Sequence, residues 1–452
     1  MKLKISRIIP VGLLTILIVT VSCNRKSEYS TETGYEVITD NGEGTGTTTW
    51  TPGKKYLLDG FVFVNDGQIL TIEAGTVIRA STGQGENASA LIVSRGGKII
   101  AEGNSVSPIV FTCEGDDLEG SVPVFAKGLW GGLIILGNAP LNNENNEAYI
   151  EGIPVAEPRG IFGGWDENDN SGILKYVSIR HGGTNIGSEN EINGLTLGGV
   201  GNNTLIEYVE VISNYDDGIE LFGGSVNCKY IVSAFNGDDA FDYDLGYHGK
   251  GQFWLAIQDP AEGDLIIEGS GGQDPELGQP YSLPIIYNGT FIGRGNNITN
   301  RTIRLDRFAG GIFGNSIFTN QHSGIYIQYI ENYNNCFDQF QNSNIRILNN
   351  IFWDIAENLA YDIFNVYAQN GENIENQNEQ FKQYFVDAEN TVSNPEVEIT
   401  SETYRILPQG NISDNLAPEP DSWFTNVDYK GAFLYDNWAR NWSLIHQSGW
   451  IE

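Results

Sequence analysis

Residues 214–244 read NYDDGIELFGGSVNCKYIVSAFNGDDAFDYD, and one phrase occurs in them twice. Asn214, Asp216, Asp217 and Glu220 return 22 residues later as Asn236, Asp238, Asp239 and Asp242. A period of this size is the mark of a solenoid, in which each repeat is one rung stacked on the last. If the rungs are β-coils, equivalent side chains stand about 4.8 Å apart, the strand spacing of a sheet. Two like charges at that distance repel by roughly 1 kcal/mol in water and by about 3.5 kcal/mol at an effective dielectric near 20. Six carboxylates in such a ladder call for a counter-charge. A hard divalent cation with oxygen ligands, Ca²⁺ first among them, meets that need. Asp216, Asp217, Glu220, Asp238, Asp239 and Asp242 are therefore the expected metal ligands. A second reading has the same aspartates accepting backbone N–H groups at tight turns.

The flanking sequence repeats the pattern in weaker form. IVFTC, GGLIIL, LKYVSIRHGG, IEYVEVISN and CKYIVSAFN are short apolar runs punctuated by glycine and asparagine, with Tyr176, Tyr208 and Tyr230 at equivalent places. Such runs fit short strands closing into coils. The expected fold is all-β, a right-handed parallel β-helix over 53–355 with polar insertions near 141–171 and 258–283. Asn315 and Asn349 stand at turns where stacked amides are expected. A helix is expected near 377–388, within a less regular region, 356–452. Its aromatic end, from Asp421 onward, is expected to cap the last coil and cover its open strand edges.

The N-terminus carries an address. Lys2, Lys4 and Arg7 precede the apolar run Ile8–Val21, a pattern that predicts an export signal over 1–22. The run closes on Thr20-Val21-Ser22-Cys23, which resembles the lipobox of bacterial lipoproteins; this implies a lipid on Cys23, an outer-membrane location and anchoring by lipid alone. Residues 23–52, rich in Ser, Thr, Gly and Glu, read as a tether. The formal charge of −33 excludes the basic footprint that nucleic acids require. Cys113, Cys228 and Cys336 have no CxxC spacing and read as buried thiols.

Six blocks agree in order with a known group of proteins: GLWGGLIILGNAPL (128–141), GILKYVSIRHGG (172–183), EINGLTLGGVG (191–201), NYDDGIELFGG (214–224), NGDDAFDYDLGYHGKGQFW (236–254) and NVDYKGAF with the later NW (426–438). Together they resemble a family of β-helix surface lipoproteins of Bacteroidota. The resemblance implies an outer-membrane lipoprotein that stands near TonB-dependent receptors; the long flat faces of a β-solenoid suit an extended ligand such as polysaccharide, so a cell-surface binding or accessory role is expected. DDGIE also resembles the acidic Ca²⁺ motif of β-helix pectate lyases. That likeness implies an alternative role as a Ca²⁺-dependent polysaccharide lyase, with Lys250 as the base and Arg180 or His248 in reserve. His181 follows a strand and reads as a turn residue. Loop aromatics such as Trp165 are candidate sugar platforms.

Overall fold

The computed structural model describes residues 34–452 except 188–189, 273–274 and 401–402; the export signal and Cys23 lie outside the described residues. The strands of the coil, two to nine residues long, pair in parallel, each with its equivalent in the next coil, and they line up as three sheets. The first contains Thr48–Trp50, Ile69–Ile72 and Lys98–Glu102 and ends at Ile345–Leu348. The second runs from Glu36–Ile38 through Tyr56–Leu58 and Val77–Ala80 to Ile351–Ile355 and Thr391–Val392. The third has ten strands, from Phe61–Val64 to Phe364–Ala368. Each coil visits the three sheets in turn, which makes a parallel β-helix. In the central coils the register offset is 22 residues: Leu205 lies opposite Asn227, Val209 opposite Ile231 and Glu220 opposite Asp242.

Four long strands serve two sheets each. Gly172–Arg180 pairs with Lys98–Glu102 through 172–175 and with Ile109–Cys113 through 177–179. Between its halves Tyr176 takes a left-handed conformation (φ 51°), and the same corner is made by Tyr208 (54°), Tyr230 (58°), Phe253 (60°) and then Asn288, Asn315 and Asn349. A residue with a Cβ is strained there by about 1–2 kcal/mol. Asparagine tolerates the strain by local hydrogen bonding, whereas the aromatic corners offset it by stacking. Tyr176 and Tyr208 lie 4.3 Å apart, Tyr208 and Tyr230 4.3 Å, and Tyr230 and Phe253 5.0 Å.

The interior is one apolar column. Leu195, Leu197, Ile219, Leu221, Phe241 and Trp254 are buried, and Phe291, Phe318 and Phe352 continue the column as a stack. Cys113, Cys228 and Cys336 are buried free thiols; burial pushes the Cys228 thiol up to about 12.

The coil is longer than its sequence boundaries suggested. It begins at Glu36 inside the expected tether, because Glu36–Ile38 and Thr48–Trp50 pair with the next coil. It continues past 355 to Val392. The expected helix occupies Glu375–Asp387 and closes the end, with Phe381 and Phe385 against Phe364. The tail does not cap the end. It runs back along the outside as a strap: Ala417 bonds Asn315, Thr425 bonds Gln252, and Leu444 and Ile445 donate to the buried Glu210 carboxylate. The reason is apolar matching, since outward residues Ile212, Val232 and Leu255 need cover and find Tyr404, Ile406, Phe433 and Ile445. Trp442 meets the edge of the tyrosine stack at Tyr176.

Asn315 and Asn349 hold equivalent corners of adjacent rungs, but their amides bond Ala417 and Glu389. Asn315 is taken by the strap, and the amide ladder forms one residue later, where Ser316 N donates to Asn350 Oδ1 (2.8 Å) and Asn350 N to Asn390 Oδ1 (2.9 Å).

Replacing Tyr208 by Ala removes an inner ring of the four-ring stack and leaves an unfavoured residue at a left-handed corner. We expect a loss of about 2–3 kcal/mol in urea unfolding. Tyr208→Asn, the residue that later coils use at this corner, is expected to lose less. Equal stability of all three proteins would refute this account of the corner.

Candidate metal centre

The turn from the second sheet to the third carries the repeated phrase. Strand Leu205–Ile212 ends, Ser213 turns the chain in the left-handed region (φ 58°), and Asn214 to Gly218 lead into Ile219–Phe222. One rung on, Phe235 (φ 56°) does the same before Phe241–Asp244. Equivalent residues clamp the rungs together: Asn214 N donates to Asn236 Oδ1 (3.0 Å), and Asp239 N to Asp217 Oδ1 (2.9 Å). Asp239 Oδ1 accepts in turn from Leu265 N at 2.6 Å. One oxygen of Asp217 and one of Asp239 therefore do turn chemistry, the second reading of the sequence.

The carboxylates also form three overlapping groups: Asp216, Asp217 and Asp238; Asp217, Glu220 and Asp242; and Asp238, Asp239 and Asp264. Within each group the potential ligand oxygens lie within 4.8 Å of one another. Asp217 and Asp238 each belong to two groups, so the run is continuous. All six sequence candidates are brought together. Asp217, Glu220 and Asp239 are buried, Asp216 and Asp242 partly so, and Asp238 is exposed.

The structure adds acids that the repeat did not reveal. Glu268 lies directly opposite Asp242 in the third sheet, and Asp264 precedes it on the same coil. Glu151 reaches in from the 141–171 insertion, where Asn193 Nδ2 bonds it at 2.9 Å and also bonds Glu220. Glu268 carried a signal, since it continues the row, but a coil of 26 residues hid it. Glu151 carried none, because an insertion supplies it.

The charges are poorly compensated. Asp216 is pushed up to about 8, first by loss of solvent and then by Glu151, Asp238 and Glu191; Asp238, the most exposed of the six, is pushed up to about 6, first by partial loss of solvent and then by Asp264 and Glu268. Asp217, Glu220, Asp239 and Asp242 are raised well above the ordinary carboxylate range by burial among one another. Arg304 brings a cation to the ladder, and it is held by Glu268 and by Asp306 at 3.2 Å. Asp242 Oδ1 is buried without a hydrogen-bond partner. An all-oxygen donor set with an orphaned carboxylate oxygen fits a hard cation such as Ca²⁺.

The three candidate bases stand elsewhere. Lys250 opens a strand of the first sheet, and its ammonium is 2.5 Å from Asp421 of the strap. Arg180 ends a strand of the second sheet, buried, with Nε on Ser178 Oγ (2.8 Å). His248 Nε2 faces Glu167 at 3.2 Å. His181 is a buried corner residue bonded to Ala126 O. Lys250 follows Asp242 by eight residues, and these carry the chain from the third sheet onto the first.

A family model described as a pectate-lyase like beta helix domain matches residues 42–396. The chain belongs to that family. The match covers nearly the whole coil and stops where the strap begins. No curated protein and no solved structure matches the chain. Membership in the pectate-lyase-like β-helix family establishes the scaffold; chemistry has to be argued from the site.

A carboxyl raised in the folded state holds a proton that the unfolded chain has already lost, so stability falls as pH rises from the unfolded value to the folded one. With Asp238 near 6 and Asp216 near 8 against an ordinary 3.8, the metal-free protein should lose melting temperature steadily between about pH 4 and about pH 8. Scanning calorimetry in chelator reads this directly. A melting temperature that is flat or rises across that window would contradict the shifts.

Proposed function

We propose that this β-helix is a lipid-anchored, Ca²⁺-stabilised binding protein of the outer membrane that engages polysaccharide at the cell surface. The continuous run of carboxylates from Asp216 to Asp264 carries the reading. Removing charge from this run would lower the repulsion, but evolution of a pure scaffold needs no carboxylates there at all. A divalent cation supplies the missing charge and ties three successive rungs together. The lipobox at Cys23 and the resemblance to surface lipoproteins support the anchor and an accessory role beside a TonB-dependent receptor. The family's scaffold supports a carbohydrate ligand.

A lyase that uses the same ions is the second reading, favoured by the family's description. It requires a base of lowered proton affinity over the carboxylates. Lys250 is ion-paired on another sheet, and Arg304 is held by two carboxylates. Binding is therefore preferred to turnover.

Titration calorimetry of the mature domain with Ca²⁺ tests the proposal. We expect a saturable heat and a rise in melting temperature, both lost in Asp217→Asn with Asp239→Asn. Absence of heat, with no effect of chelator on melting, would remove the metal from the account. Formation of unsaturated product from polygalacturonate, abolished by Lys250→Ala, would replace binding by lyase chemistry.

A further inference from the structure

Between strands Ile109–Cys113 and Leu133–Leu136 the chain leaves the coil and lies across its corner between the second and third sheets. Ala126 O bonds His181 Nδ1 (2.7 Å), Val124 O accepts from Ser213 Oγ, and the Phe125 ring lies 4.6 Å from that of Phe235. His181, Ser213 and Phe235 are the left-handed corners of three neighbouring coils. On the next coil Ile257 ends the equivalent strand, and Asp259 follows it closely.

Lys127 reaches from this segment to that coil. Its Nζ lies 2.6 Å from Asp259 Oδ2 and 2.5 Å from Glu262 Oε1. The lysine side chain is 5% exposed and that of Asp259 6%, whereas Glu262 is 57% exposed. Among the described residues this is the one ion pair with both side chains below one-tenth exposure. A buried pair of this kind loses much of its Coulombic gain to desolvation. An amide made from the same two groups has no charge to desolvate. Asp259 Oδ1 accepts from Ala261 N at 2.8 Å, which holds the carboxyl in place. Residue 260 is proline and has no N–H. The Asp259 carboxyl therefore cannot close onto the backbone nitrogen of the next residue, and Lys127 is the amine it faces.

We propose that Lys127 and Asp259 condense into an intramolecular isopeptide bond, with Glu262 moving the proton. A proton passes from the Lys127 ammonium to Asp259 Oδ2 and leaves a neutral amine beside a neutral carboxyl. Nζ forms its bond to Cγ, and Oδ1 takes the negative charge, steadied by the Ala261 N–H. Glu262 takes a proton from Nζ and hands it to Oδ2, and the Cγ–Oδ2 bond breaks to release water. The carbonyl re-forms at Oδ1. One ammonium and one carboxylate become one amide and one water, so no co-reactant is consumed and Glu262 ends as it began. Glu262 is the solvent-facing member, and water leaves past it. Proximity replaces activation, since well-oriented groups within one molecule reach effective concentrations of about 10⁵–10⁸ M. The bond ties the corner segment to the coil that carries Asp264 and so holds the acidic rungs in register. It constrains the unfolded chain as a disulfide does, in a coil whose Cys113, Cys228 and Cys336 are free. It goes beyond the binding reading and depends on neither ion nor glycan.

The test is a tryptic map of the full chain, purified folded at neutral pH and denatured before digestion. The bond blocks trypsin at Lys127, so residues 99–159 should appear joined to residues 251–294, at a mass about 18 Da, one water, below the sum of the two. Lys127→Arg keeps the ion pair but has no nucleophilic amine, and should give the peptides unjoined, with cleavage at position 127. Glu262→Gln keeps the buried pair and should lower the joined fraction at least about tenfold over the same interval. Glu262 is on the surface, so this second variant keeps the comparison decisive if Lys127→Arg does not fold. Unjoined peptides from folded wild-type protein, with Lys127 cleaved in full, overturn the proposal. Equal joining in the wild type and Glu262→Gln overturns the part given to Glu262.

Discussion

Parallel pairing at a fixed offset places Glu220 opposite Asp242 and Asp242 opposite Glu268, one strand spacing apart. The backbone that builds the coil leaves these side chains no choice of distance. Each step of like charge costs about 3.5 kcal/mol at an effective dielectric near 20 if both groups are ionised. The molecule has two answers to that repulsion, protons or a cation. The raised carboxyls of Asp216 and Asp238 describe the first answer, and the clustering of ligand oxygens provides for the second. The same register that stacks Val209 on Ile231 in the second sheet therefore creates the charged row in the third.

Stacking also governs the opposite side of the coil. The corner between the first and second sheets demands a left-handed residue in every rung, and identical rings can occupy it because stacking returns what the conformation costs. Where the rings give way to Asn288 and Asn315, the amides turn outward and bond the strap. The strap is thus fastened by apolar contact over the aromatic rungs and by hydrogen bonds over the asparagine rungs. It covers the second sheet and reaches Phe235 at the start of the acidic turn, where Tyr404 and Trp450 pack on the ring, while the 141–171 insertion covers the first rungs of the third sheet.

The architecture was largely readable because two adjacent coils have equal length, so DDGIE and DDAFD fall in register in the sequence as they do in space. Length changes hid the rest. The coil after Asp242 is longer, and Glu268 lost its place in the pattern although it keeps its place in the ladder. Glu151 comes from an insertion, and no periodicity points to it. The tail was misplaced for a different reason: its aromatic residues suggested a cap, whereas unbroken apolar runs such as YIVSA were the real sign that the second sheet is covered on both faces. The sheet that carries Lys250 could not be read from the sequence, because a few residues take a solenoid chain from one sheet to the next.

The acidic turn and the strap-covered second sheet divide the surface of the coil between charge and apolar packing. The most direct test is a crystal structure of the mature domain grown with Ca²⁺, using anomalous scattering to locate the metal. The account predicts an ion bonded to carboxylate oxygens of Asp216, Asp217 and Asp238 at about 2.3–2.6 Å. Carboxylates bridged only by protons and water at saturating Ca²⁺ would contradict it.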